Sequence, residues 1–197
     1  MIFMNVAIIK YNAGNTQSVI FAMERLGIQP ILTDEVSEIL MADKVIFPGV
    51  GEASSAMSYL KERNLDKLIR MLRQPVLGIC LGMQLLCRFS EEGNTHCLGV
   101  FDAEVRLFRG TEKIPQMGWN TIYDLTSPIF EGIPEQTWQY FVHSYYAGVT
   151  EETIAKTDYI LPFSAALAKD NFYGVQFHPE KSGESGQLIL ENFLKLS

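Results

Sequence analysis

Cys80 stands in Gly78-Ile79-Cys80-Leu81-Gly82, between the apolar run Pro75-Val76-Leu77 and the helical-looking Met83-Gln84-Leu85-Leu86. A short apolar strand that ends in G-x-C-x-G and turns at once into a helix has the local plan of a nucleophile elbow, with sulfur in place of a serine hydroxyl. Glycine two residues before and two after the cysteine lets strand and helix approach closely, and the turn lifts the thiol into the open. Unpaired N–H groups and the dipole at the start of the following helix favour a thiolate. The plainer reading is a buried small apolar cysteine beside a tight turn. That fits a cysteine taken at random, but this setting favours the nucleophile.

A cysteine nucleophile needs a base within hydrogen-bond reach, and the base needs a third group to fix its tautomer and orientation. The chain has three histidines. In Gly174-Val175-Gln176-Phe177-His178-Pro179-Glu180 an apolar strand ends in a histidine, with a carboxylate two residues later. Residues two apart in extended backbone face the same side, so Glu180 is placed to hold the His178 ring nitrogen turned away from the thiol. Taken singly, His178 would read as a core histidine and Glu180 as a strand-end charge in water; Cys80 gives them a joint use. His143, in Phe141-Val142-His143-Ser144-Tyr145-Tyr146, has no carboxylate nearby and is expected to shape a pocket. His96 sits in a polar stretch and is expected to be solvated. The cysteines and histidines lack ligand spacing, so no metal is expected.

The 197 residues suit a single domain, 1–197, long enough to bury a sizeable core. The net charge of −7 argues against nucleic acid, because basic clusters such as Lys61-Glu62-Arg63 are interleaved with acids. The apolar start Met1–Ile9 is too short to span a bilayer and lacks the features of a signal peptide, so no membrane is expected. Cys80, Cys87 and Cys97 form no C-x-x-C pair, which fits a reducing cytoplasm better than a disulfide framework.

Elements that could position the cysteine follow from periodicity. Asn5–Ile9 reads as a buried first strand, followed by the polar loop Tyr11-Asn12-Ala13-Gly14-Asn15 and a helix from about Thr16 to Leu26 capped by Gly27. Pro30–Thr33 and Lys44–Phe47 read as strands around a short acidic helix, Asp34–Ala42. Glu52–Met71 reads as a helix in two pieces broken near Asn64. This alternation predicts an α/β fold with a mostly parallel central sheet and helices on both faces, binding its ligand at the carboxyl ends of the strands, where Pro48-Gly49-Val50-Gly51 and Cys80 both lie. In the second half Val100–Arg109, Gly118–Leu125, Trp138–Val149, Ile160–Ala168 and Phe172–Phe177 read as strands, predicting an antiparallel extension of the same sheet closed by a helix from about Glu184 to Leu196. Cys87, seven residues after Cys80, is expected two turns along the same helix, pointing into the core.

With Cys80, His178 and Glu180 identified, the chain resembles the class I glutamine amidotransferases, triad-type glutaminases of flavodoxin-like fold, from its first strand to its end. G-x-C-x-G and F-H-P-E carry the wider group. Tyr11-Asn12-Ala13-Gly14-Asn15, Pro48-Gly49-Val50-Gly51, Pro115-Gln116-Met117-Gly118-Trp119-Asn120 and His143-Ser144-Tyr145-Tyr146 resemble signatures of the glutaminase subunits that serve histidine biosynthesis. Lys10 and Asn12 depart from that pattern, whose members commonly carry Asp and Gly there, in the loop expected to face a partner. The resemblance implies that Cys80, His178 and Glu180 are catalytic, through a glutamyl thioester on Cys80. It implies oxyanion contacts from the backbone of Val50, Gly51 and Leu81, and L-glutamine contacts from Gly49, Gln84, Ser144 and Tyr145. No cofactor is implied. The implied partner is a separate (β/α)8 cyclase that consumes the ammonia in making imidazole glycerol phosphate and AICAR, docked on a face including Asn12, Asn15, Trp119 and Lys181. The rival readings are the glutaminase of another amidotransferase, a catalytically silent binding module of the same fold, and a cysteine peptidase.

Overall fold

The computed structural model describes residues 4–12 and 16–197; the expectation for Asn15 lies outside them. Strands Val6–Ile9 (β1), Ile31–Thr33 (β2), Lys44–Phe47 (β3) and Val76–Ile79 (β4) alternate with helices Thr16–Arg25 (α1), Val36–Met41 (α2), Ala53–Glu62 (α3), Leu65–Met71 (α4) and Leu81–Leu86 (α5). Every residue of β1, β3 and β4 is buried, as parallel strands covered on both faces require. The period of two sorts their side chains. Ala7, Ile9, Val45, Phe47 and Val76 pack in the layer that holds α2 to α5, whereas Val6, Ile8, Ile46, Leu77 and Ile79 pack in the layer of α1 and the C-terminal helix. Asn64, in the left-handed conformation, breaks the α3–α4 segment where the sequence places the break.

The second half contributes Cys87–Ser90 (β5), Thr95–His96 (β6), Phe101–Leu107 (β7), Gln116–Ile122 (β8), Thr137–His143 (β9), Tyr145–Ala147 (β10), Thr153–Tyr159 (β11), Leu161–Lys169 (β12), Phe172–Val175 (β13) and helix Gly183–Lys195 (α6). The main sheet has seven strands in the order β11-β12-β13-β4-β3-β1-β2. β13 pairs parallel to β4, while β12 and β11 continue antiparallel. The expected antiparallel extension is therefore real, but only part of the second half builds it. β5, β6, β7 and β10 form a second sheet and β8–β9 a separate hairpin. Trp138–Val149 is two strands separated at Ser144, and β11 was not anticipated. Cys87 is not on the nucleophile helix, which ends at Leu86; it opens β5, fully buried. His96 lies in β6 rather than a loop, and its side chain is exposed. Among the described residues no helix is long and apolar enough to cross a membrane.

Topology creates the site. β3, β4 and β13 are adjacent and parallel, with Phe47 level with Gly78 and Val175 level with Ile79. Their carboxyl ends release Pro48–Gly51, Cys80 and Gln176–Glu180 at one edge of the sheet.

Candidate active site

Cys80 has φ 53° and ψ −109°, a conformation costly for a residue with a Cβ. Its neighbours hold it there: its N–H donates to the Val175 carbonyl at 2.8 Å, and its carbonyl accepts from the Gln84 N–H at 3.1 Å as α5 begins. The elbow glycines are steric requirements. A Cβ on Gly78 would lie 2.8 Å from the Met83 nitrogen, and one on Gly82 would overlap the Phe47 carbonyl. The thiol sits at the floor of a pocket of about 320 Å³ lined by Val50, Gly51, Leu81, Gln84, Glu92, His143, Ser144, Tyr145, His178 and Lys181, among others.

His178 follows β13 and is anchored through its backbone, its N–H donating to the Tyr140 carbonyl at 2.8 Å and its carbonyl accepting from the Ser182 hydroxyl at 2.7 Å. Its Nδ1 lies 2.8 Å from Glu180 Oε1, and the Glu180 side chain is fully buried. Burial alone would lower the imidazole pKa. The negative charge of Cys80, together with hydrogen bonds to Cys80 and Glu180, outweighs it and raises the value to about 10. The arrangement thus favours the imidazolium form of His178. His143 has the opposite setting: burial lowers its pKa to about 4, against a raising contact between Nδ1 and the Tyr145 carbonyl at 2.7 Å. It stays neutral, wedged among Phe108, Phe141 and Phe163 as a wall of the pocket.

Residues expected at the oxyanion site are close together but not arranged as donors. The Leu81 N–H donates to the Gly49 carbonyl at 3.2 Å. C=O and N–H point in opposite directions across a planar trans peptide, so the Val50 N–H is turned away from Leu81. The Gly49 carbonyl thus occupies the Leu81 N–H, so an oxyanion there would meet an acceptor where it needs a donor; Gly49, expected as a substrate contact, is not itself among the residues lining the pocket. Below the strand end, the Tyr11 hydroxyl donates to the Pro48 carbonyl at 2.6 Å, its ring 5.2 Å from that of Phe47. Burial, and secondarily Cys80, raises the Tyr11 phenol well above its ordinary value, so it remains a donor.

Gln84, expected as a substrate contact, is almost fully buried, and its amide nitrogen is committed to Tyr145 and Gln176. Ser144 and Tyr145 line the pocket at the β9–β10 break. Asn12 is exposed and donates to Ser55 on α3 at 2.8 Å. Trp119, 53% exposed, lies on the outer face of the β8–β9 hairpin against Tyr140, with exposed Met117 and Trp138 on the same face; Lys181 is exposed at the pocket rim. Sequence reasoning missed three residues. Glu92 lines the pocket, its Oε2 accepting from the Ala53 N–H at 2.8 Å, with burial raising its carboxyl pKa; in Ser90-Glu91-Glu92-Gly93 nothing marks it out from a surface acid. Tyr11 and Gln176 stood inside recognised motifs, with no signal of a contact beneath the elbow. Among the described residues no group of His, Cys, Asp and Glu could hold a metal ion.

Residues 7–196 match the family model described as glutamine amidotransferase class-I. The chain is 60% identical over 196 residues to the imidazole glycerol phosphate synthase subunit HisH of Bacteroides fragilis strain YCH46, covering 98% of this chain and 100% of that protein. It is 48% identical over 193 residues to the protein of the same name from Haemophilus influenzae Rd, covering 97% of each. Among solved structures, PurLQS from Thermotoga maritima superposes with a TM-score of 0.73 at 15% identity over 98% of both chains, a likeness of fold.

Proposed function

The chain belongs to the class-I glutamine amidotransferase family, and on that premise we propose that it is the glutaminase subunit of imidazole glycerol phosphate synthase. It hydrolyses L-glutamine to glutamate and ammonia, and passes the ammonia to a separate (β/α)8 cyclase subunit. The identity of 46–60% with relatives of that name over nearly the whole chain supports the assignment. The observation that carries the chemistry is an elbow cysteine beside a histidine whose outer nitrogen is held by a buried carboxylate.

Cys80 thiolate attacks the side-chain amide carbon of glutamine. The tetrahedral intermediate collapses as His178 imidazolium protonates the departing nitrogen, leaving ammonia and a glutamyl thioester. His178, now neutral, takes a proton from water as it attacks the thioester; collapse returns the Cys80 thiolate and releases glutamate. Glu180 fixes the ring and stabilises its charged form. Glu92, Ser144 and Tyr145 line the pocket; on this reading the Glu92 carboxylate would meet the substrate's α-ammonium, and Ser144 and Tyr145 its remaining polar groups.

The oxyanion needs donors, and the Gly49 carbonyl opposes it. Turning the Gly49–Val50 peptide would withdraw that carbonyl, free the Leu81 N–H and aim the Val50 N–H inward, with Gly51 as the permissive neighbour. The described conformation is therefore a resting one, suited to a glutaminase that waits for its partner. Docking on the face of Asn12, Trp119 and Lys181, extended by Met117, Trp138 and Tyr140, would cover the pocket mouth and keep ammonia from water. Glutamine hydrolysis, measured alone and then with the cyclase and its nucleotide substrate, is expected to rise sharply on addition; an unchanged rate would refute the assignment.

A further inference from the structure

Gln176 precedes His178 by two residues and is fully buried, yet the reaction above gives it no role. Three distances fix its amide. The Tyr145 carbonyl can only accept, so the end of Gln84 that lies 3.0 Å from it is the NH2 group. The same nitrogen lies 2.8 Å from the Gln176 side chain, which must present its oxygen. The Gln176 NH2 group is thereby aimed at the Cys80 sulfur, 3.6 Å away.

We propose that Gln176 is a further catalytic residue of this glutaminase, donating an amide N–H to the Cys80 sulfur and stabilising the thiolate before attack, with Gln84 holding it in that orientation. The inference rests on the reaction proposed above for the use of the thiolate, but the contact itself is independent of it. A donor is needed at this point. The Leu81 N–H, at the start of the helix that follows the cysteine, is engaged by the Gly49 carbonyl, and the Val142 carbonyl, 3.8 Å from the sulfur, accepts a bond that only the protonated sulfur can donate. Gln176 opposes Val142. A hydrogen bond to a charged acceptor is stronger than one to a neutral acceptor, so this donor favours thiolate over thiol. The titratable groups facing the sulfur are His178, from the turn after β13, and Tyr11, a phenol kept neutral by burial at the end of β1. Glu180 acts through His178, while Glu92 and Lys181 line the pocket.

The test is the pH dependence of Cys80 alkylation by iodoacetamide, followed by mass spectrometry from pH 5 to 10. Gln176→Met and Gln176→Leu each remove the amide donor without placing a charge beside the sulfur. Each profile is expected to move to higher pH by about one unit, a tenfold loss of rate on its rising limb. Profiles coinciding with that of the unaltered protein, with the label still on Cys80, would overturn the proposal. Alkylation needs neither glutamine nor a partner, so failure of the proposed function, seen as no glutamine hydrolysis with the cyclase, is separately visible.

Discussion

Replacing Tyr11 with phenylalanine removes one oxygen and, with it, the 2.6 Å hydrogen bond to the Pro48 carbonyl. The ring keeps its place against Phe47, so the core at this point is preserved. Two hydrogen bonds hold the strand end in its resting form, this one and the 3.2 Å bond from Leu81 to Gly49. The second must break for an oxyanion to be bound, while the first restrains the peptide immediately before the one that turns. A net contribution of about 0.5–1.5 kcal/mol for such a bond corresponds to about a 2- to 12-fold shift between resting and turned forms. Tyr11→Phe is therefore expected to raise glutamine hydrolysis without the cyclase by about that factor, while the rate with cyclase and nucleotide, where docking is proposed to favour the turned form, is expected to change little. The assay is glutamate release under both conditions. An unchanged or lowered basal rate would show that the Tyr11 bond persists through the turn, and would refute the reasoning.

Glu180→Gln keeps the shape but removes the charge that supports imidazolium, and is expected to lower kcat by about 10²- to 10⁴-fold with a smaller change in KM. Against the lowering effect of burial, Cys80 and Glu180 hold His178 at about 10, above its unfolded value of about 6.5. The resulting stabilisation is complete below about pH 6.5 and is lost as pH rises toward 10, so the melting temperature should fall across that window, less steeply in Glu180→Gln; equal slopes would contradict it. Gly82→Ala forces a methyl group into the Phe47 carbonyl and should cost about 1–3 kcal/mol in urea unfolding. Glu92→Gln should raise KM for glutamine about tenfold with kcat little changed, as expected when a contact to the α-ammonium is lost.

The first half of the fold was legible because buried parallel strands such as Val76–Ile79 read as continuous apolar runs, and Asn64 marked its own helix break. The second half was harder for a physical reason. Short strands flanked by turns do not encode their partners, so nothing in Val100–Arg109 or Gly118–Leu125 revealed that they leave the main sheet. Cys87 was misplaced because Leu85-Leu86-Cys87 is apolar enough for helix or strand, and burial alone does not choose. Cys80, His178 and Glu180 could be singled out because nucleophilic chemistry calls for a thiol, a base and a carboxylate, and the structure brings these three groups together. The Gly49 carbonyl at Leu81 could not be foreseen: the orientation of a peptide beside glycine is a conformational state and leaves no mark in residue identity.

The central claim, that Cys80 forms the thioester, is tested most directly by treating the protein and its cyclase with an electrophilic diazoketone analogue of glutamine and mapping the adduct by mass spectrometry. Burial raises the Cys87 thiol well above its ordinary value and pushes Cys97 up to about 12, so neither competes near neutral pH. A single adduct on Cys80, with loss of glutamine hydrolysis in proportion, is the predicted result. Inactivation with the adduct on Cys87 or Cys97, or none on Cys80, would contradict the account.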